Sequence, residues 1–173
     1  MKCKTIFGFL LILTLLFLGA CQTAIDSGQA EDATLTFRTE REHPGSEAGK
    51  PYSPAVKVVR IGSSQGLDTV AAETLYVSGQ VGADPETGEK VEGDIQAETR
   101  QVLANMKGIV ESAGFRMSDA VRCTVYLLDM DDYADVNEAY LEFFPADPPS
   151  RACVGVSELV GDYRIEISLV AEK

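Results

Sequence analysis

Arg151 and Glu166 are the residues whose types and settings most directly suggest chemistry. Arg151 lies in Pro149-Ser150-Arg151-Ala152-Cys153-Val154 and Glu166 in Tyr163-Arg164-Ile165-Glu166-Ile167, two runs that otherwise read as buried strand. A guanidinium offers a planar fork of donors that fits a carboxylate, and a carboxylate held near it can take a proton or orient a water. Together they point to a site for a small acid. Each also has a plainer reading. An arginine at a strand start is commonly a surface residue. Glu166, flanked by Ile165 and Ile167, shares a strand face with Arg164, Ser168 and Val170, where it would pair with Arg164 on a solvated side of a sheet.

Further polar residues fall where a pocket would need them, and each has an ordinary alternative. Tyr52 follows Pro51 in a loop and would either line a site or cap the core; Ser78 and Gln80 occupy one face of a strand-like run that is wet in either case. Asn137 sits at the edge of a helical apolar face and could bond to a neighbouring loop. Cys153 has no His or Lys beside it in sequence to activate a thiolate, so a buried inert thiol is its simpler role. His43, the only histidine, lies in a proline-rich loop. That excludes a histidine-rich metal site and Ser-His or Cys-His machinery. There is no Gly-x-Gly-x-x-Gly loop either, so chemistry must run on carboxylate, guanidinium, hydroxyl and backbone groups.

These residues need strands and helices to position them. Alternation predicts strands at 34–39, 55–61, 74–81 and 120–128, followed by 152–157 and 163–171. Residues 41–54 hold three prolines and two glycines and read as loop, as do residues 62–72. Asp94 is a plausible N-cap, with Ile95, Val102, Leu103, Met106, Ile109 and Val110 recurring behind it and Gly114 at the C′ position. A second helix carries Tyr133, Val136, Tyr140, Leu141 and Phe144 on one face and ends before Pro145. The Leu159-Val160-Gly161-Asp162 turn joins the last two strands. This order, β-β-β-α-β-α-β-β, predicts an α+β domain with both helices on one face of a mixed sheet.

The chain's first 20 residues stand apart. Lys2 and Lys4 precede an apolar run over residues 6–18, and Leu18-Gly19-Ala20 supplies small residues before Cys21. The run is short for a membrane span and has the layout of a secretory signal. A bacterial lipoprotein signal, with Cys21 lipidated as the mature N-terminus, fits best; an ordinary signal peptide and an uncleaved anchor are the alternatives. Gln22, rather than Asp, after the cysteine favours the outer membrane, with the protein facing the periplasm. Residues 21–33, small and polar, read as a tether, and 34–173 as one domain. Removing the first 20 of 173 residues leaves 153, and loss of Lys2 and Lys4 takes the formal charge from −12 to −14. Such an acidic chain repels phosphate backbones, which argues against nucleic acid as a partner. Cys123 and Cys153 remain in an oxidising compartment, where they are either buried thiols or a disulfide.

Pro51-Tyr52-Ser53, Val77-Ser78-Gly79-Gln80, Pro85-Glu86-Thr87-Gly88, the run NMKGIVESAG at 105–114, Val136-Asn137-Glu138-Ala139-Tyr140 with Phe143-Phe144, and the two runs around Arg151 and Glu166 follow one another from about residue 34 onwards. Taken jointly they resemble the RidA/YjgF family of reactive-intermediate imine deaminases. The resemblance implies a chorismate-mutase-like fold and a homotrimer with sites in the clefts between subunits. It implies hydrolysis of enamines and imines such as 2-aminoacrylate to 2-keto acids and ammonia, with no metal or organic cofactor. It also implies that Arg151 clamps the substrate carboxylate and that Glu166 activates water and relays protons. Tyr52, Ser78, Asn137 and the backbone at Gly79 and Cys153 would line the pocket. Ser168 stands where the family commonly has a second Glu, and residues 62–73 are longer than the usual connection. A non-catalytic envelope module that binds a small carboxylate in the same cleft is the alternative; ribonuclease activity, also attached to the family name, is disfavoured by the charge.

Overall fold

The computed structural model describes residues 35–173. The leader at 1–20, the lipidation candidate Cys21, the tether at 21–33 and the first domain residue, Thr34, lie outside the described residues.

Six strands, β1 (Thr36–Glu42), β2 (Ala55–Ser64), β3 (Leu67–Val81), β4 (Ala120–Leu127), β5 (Ser150–Gly155) and β6 (Ile165–Glu172), form one sheet in the order β1-β2-β3-β6-β4-β5. All neighbours are antiparallel except β4 and β5, which are parallel. Two helices, α1 (Ile95–Ser112) and α2 (Tyr133–Phe143), contribute to the same core as the sheet. The α+β expectation therefore stands, with the sheet mixed through a single parallel pair. That pair follows from connectivity: a parallel neighbour needs a crossover, and α2 provides it between β4 and β5.

Strict alternation on β6 explains why one face is covered. Ile165, Ile167, Leu169 and Ala171 are buried, joined by Leu75 and Val77 of β3 and by Cys123, Val125 and Leu127 of β4. Against them α1 sets Val102, Leu103, Met106 and Val110, and α2 sets Val136 and Tyr140. Burying a side chain of this size contributes about 1.5–3 kcal/mol. The helix N-terminus is held as its sequence suggests, with Asp94 Oδ1 accepting from the Ala97 N–H at 2.8 Å, and Gly114 at φ +82° ends it. On the other face of β6, Glu166, Ser168 and Val170 are only half-buried, and neither α1 nor α2 packs on that face.

One expectation needs correction. Residues 62–72 are not a loop: β2 and β3 continue through them as one long hairpin, turned by Gln65 and Gly66, whose φ angles of 52° and 77° are those of a two-residue type I′ turn. The 159–162 turn joins β5 to β6 as expected, although the two strands are not neighbours: β6 lies on the far side of β4 from β5. Of the two readings of the cysteine pair, the thiols hold and the disulfide does not form. Cys123 and Cys153 are both free, offset along the parallel ladder so that Cys123 opposes Arg151 and Cys153 opposes Val125.

Candidate active site

Arg151 is the second residue of β5 and lies across from buried Cys123, so its side chain projects to the helix-covered side. There α2 receives it. The guanidinium Nη2 donates to Asn137 Oδ1 and, at 3.3 Å, to the Tyr133 hydroxyl; its central carbon stands 4.6 Å from the Tyr140 ring centroid and 5.6 Å from that of Tyr133. Positions 133, 137 and 140 recur at helical spacing and make one face, which is why three side chains converge on one cation. The crossover that makes β5 parallel to β4 brings that face over the strand. A cleft of about 410 Å³ opens beside the guanidinium, walled by Asn137, Tyr140, Leu141, Pro148 and Pro149. It is large enough for a small organic acid and mostly apolar away from Arg151.

Tyr140 is almost fully buried and its hydroxyl has no hydrogen-bond partner among the described residues. Burial pushes its pKa up, and burial likewise raises the Cys123 thiol, so both stay neutral. Cys153, half-buried on the same strand face as Arg151, is also raised by burial, with Arg151 opposing the effect. It is a thiol rather than a thiolate nucleophile.

Glu166 belongs to a second cluster. It lies opposite Val81 and Tyr126 in the ladders of β6. Between Val77 and Gln80 the register of β3 slips, so that Ser78 and Gly79 together face one residue of β6, a bulge next to Glu166. The bulge brings the Gly79 backbone under the carboxylate: a Cβ on Gly79 would sit 1.7 Å from Glu166 Oε1. Glycine is therefore what leaves room for the Glu166 carboxylate where it stands, its φ being unremarkable. Ser78 Oγ donates to the Ser53 carbonyl at 2.8 Å and its N–H to the Pro54 carbonyl at 2.9 Å, which holds the Tyr52 loop against the strand. Tyr52, 66% exposed, then stands at the rim. Tyr52, Ser78, Gly79, Val81, Val160 and Glu166 line a cleft of about 330 Å³. The other end of the Tyr52 loop is tied by His43 Nδ1 at 3.1 Å from Ser53 Oγ, a structural use of the only histidine.

The structure therefore gathers the expected residues into two groups, with Arg151, Asn137 and Cys153 in one and Tyr52, Ser78, Gly79 and Glu166 in the other. Within one chain the groups do not meet. Arg151 lies on the helix-covered side of the sheet and Glu166 on the bare side, two strands in. The pairing of Glu166 with Arg164 does not form. Arg164 turns instead to Glu98 of α1, donating from Nε at 2.7 Å to Oε2 and from its backbone N–H at 2.7 Å to Oε1. Glu98 is fully buried, with Lys90 Nζ 3.6 Å away as a second cation. Sequence reading passed over Tyr133, Tyr140 and Glu98 in these roles. The 133/137/140 spacing was a legible signal for the first two, whereas Glu98 carried none beyond its place in the first turns of α1. Among the described residues no three His, Cys, Asp or Glu side chains gather as a metal ion would need.

Comparison with known proteins gives these clusters a context. The family model described as Endoribonuclease L-PSP matches residues 46–173, nearly the whole described domain. The chain belongs to the RidA/YjgF family. A RutC family protein of Pyrococcus horikoshii is 45% identical over 123 residues, covering 71% of this chain and 87% of that protein. The human 2-iminobutanoate/2-iminopropanoate deaminase is 40% identical over 121 residues, covering 70% and 79%. Among solved structures, Escherichia coli TdcF with bound serine superposes with a TM-score of 0.61 at 32% identity, over 76% of this chain and 95% of that one.

Proposed function

We propose that this protein hydrolyses small enamines and imines related to 2-aminoacrylate to 2-keto acids and ammonia, at sites completed between copies of the chain. The observation that carries the reading is the separation of Arg151 from Glu166 onto opposite sides of the sheet, each already oriented and each in its own open cleft. One chain presents a carboxylate clamp without a base and a base without a clamp. A second copy that sets its Arg151 edge against the bare face would join them, and a closed ring of such contacts is a homotrimer. Relatives named 2-iminobutanoate/2-iminopropanoate deaminase support the reaction class.

In this reading Arg151 binds the substrate carboxylate through the hydrogens that Asn137 does not use, with the long Tyr133 contact giving way. Glu166 takes a proton from water as its oxygen bonds to the carbon of the protonated imine, giving a neutral carbinolamine. Glu166 returns that proton to the nitrogen, and as the C–N bond breaks the hydroxyl gives up its own proton to the carboxylate, so that ammonia leaves and the keto acid remains. An imine carbon is already electrophilic, so orientation and a proton shuttle suffice and no cofactor is called for. Tyr52, Ser78 and the backbone at Gly79 and Cys153 shape the joined pocket. The leader and Cys21 extend the proposal to a lipid-anchored protein at the outer membrane facing the periplasm; Cys21→Ser should release it from the membrane fraction.

The test is ammonia and keto-acid release from freshly generated imines. Wild type should turn over, Arg151→Lys should lose most activity while staying folded, and Glu166→Gln should fall by about 10²-fold or more with pyruvate binding retained. Saturable pyruvate binding without turnover in the wild type would replace the enzyme with a carboxylate-binding module.

A further inference from the structure

The hairpin of β2 and β3 outruns the rest of the sheet. The ladder between β3 and β6 begins at Thr74 opposite Glu172, so residues 67–73 of β3 have β2 on one side and no strand on the other. With β1 paired along residues 57–63 of β2, this makes a three-stranded arm beyond the helices. Its side chains are not those of a solvated ribbon: Leu35, Phe37, Leu67 and Val70 are 56–72% exposed. Phe37 opposes Gly62, and a Cβ there would lie 3.4 Å from Phe37 Cε1 and 3.9 Å from Leu35 Cδ1; Leu67 opposes Ser64. Alternation along β2 from Val56 to Ser64 puts Gly62 and Ser64 on the side of Val56, which pairs with half-exposed Tyr76. Leu35, Phe37 and Leu67 thus lie on the bare side of the sheet, the side that carries Glu166, while Val70 lies across from Ile61 on the other.

We infer that this arm docks on a second copy of the chain through Leu35, Phe37 and Leu67, extending the contact that completes the active site. The inference rests on the cross-subunit reading above. Its own support is continuity of the face: the bare side that must meet another copy at Glu166 continues through Tyr76 and Val58, past the Thr39–Arg60 row, to the Leu35, Phe37 and Leu67 patch with the same sidedness, and an exposed apolar patch of this kind marks protein contacts. The function of the arm is then to hold the assembly, not to touch substrate.

The experiment compares the full chain with a Phe37→Ser/Leu67→Ser variant and with Val70→Ser, equally exposed on the opposite face of the arm. Sedimentation over a dilution series gives the concentration at which the oligomer dissociates. The double variant should raise it at least tenfold, Val70→Ser should leave it within twofold, and turnover per assembled oligomer should be unchanged at concentrations where all three assemble. An unchanged dissociation concentration in the double variant overturns the docking while leaving the shared site intact. Loss of vesicle binding in the double variant without loss of assembly overturns it in favour of a lipid-facing arm. A wild type that turns over as a monomer at every concentration overturns the shared site and the docking together.

Discussion

At the scale of single residues, the arginine is oriented by two aromatic rings as well as by its hydrogen bond to Asn137. A cation over a partly desolvated ring gains about 1–2 kcal/mol. Tyr140→Leu, which removes the closer ring, should therefore raise KM about five- to thirtyfold with a smaller change in kcat. Tyr140→Phe keeps the ring and removes a buried hydroxyl that has no partner, so its KM should stay within about twofold, and chemical denaturation should show stability unchanged or raised by about 1 kcal/mol. A loss of substrate affinity in Tyr140→Phe equal to that in Tyr140→Leu would mean the hydroxyl, not the ring, does the orienting. Gly79 offers a second test. Its added methyl would overlap the Glu166 carboxylate, so Gly79→Ala should displace that group and lower turnover by about 10²-fold or more, with pyruvate affinity, governed by Arg151, little changed. Steady-state rates and calorimetric titration on the same preparations separate the two effects.

At the scale of elements, the start of β6 is tied to α1 by a fully buried carboxylate. Removing one partner of such a pair leaves the other charge without its counter-charge, and Glu98→Ala should cost about 2–3 kcal/mol in urea denaturation, less than the ~3–5 kcal/mol of a fully buried pair because Arg164 is a third exposed and can reach water. Glu98→Gln, retaining one acceptor, should cost less. How far the elements could be read from sequence depended on burial. The strands at 74–81 and 120–128, and both helices, have one apolar side pressed against the core, so their periodicity is strong. The 62–72 segment has little to bury, its alternation is weak, and Ser63, Ser64, Gln65 and Gly66 read as loop although the two-residue turn they surround is well formed. The site shows the same division. Its residue types and motif spacings were visible, but the side of the sheet on which Arg151 and Glu166 fall depends on strand order, which places β6 two positions in from β5. The partner of Arg164 was equally hidden, since Glu98 lies 66 positions away in the chain.

At the scale of the whole molecule, a site drawn from two copies makes a quantitative demand. Arg151→Ala and Glu166→Gln chains should each be inactive alone. When they are mixed in equal amounts and allowed to exchange subunits, random assembly gives an intact arginine facing an intact glutamate at about a quarter of the interfaces in any closed ring. Activity should rise to about that fraction of wild type, and would stay at background if both groups served from one chain.

The order of the sheet has one more consequence, for how the chain comes to be folded. Its central strand, β6, is also its last, so β3 and β4 have no neighbour between them until residues 165–172 have been synthesised. Pairing across such sequence separation is slow, and a nascent chain that has not yet reached residue 165 has two half-sheets and no complete core. The delay keeps the polypeptide loosely packed until these residues are available, so the step that makes it compact is reserved for the end of the domain's synthesis.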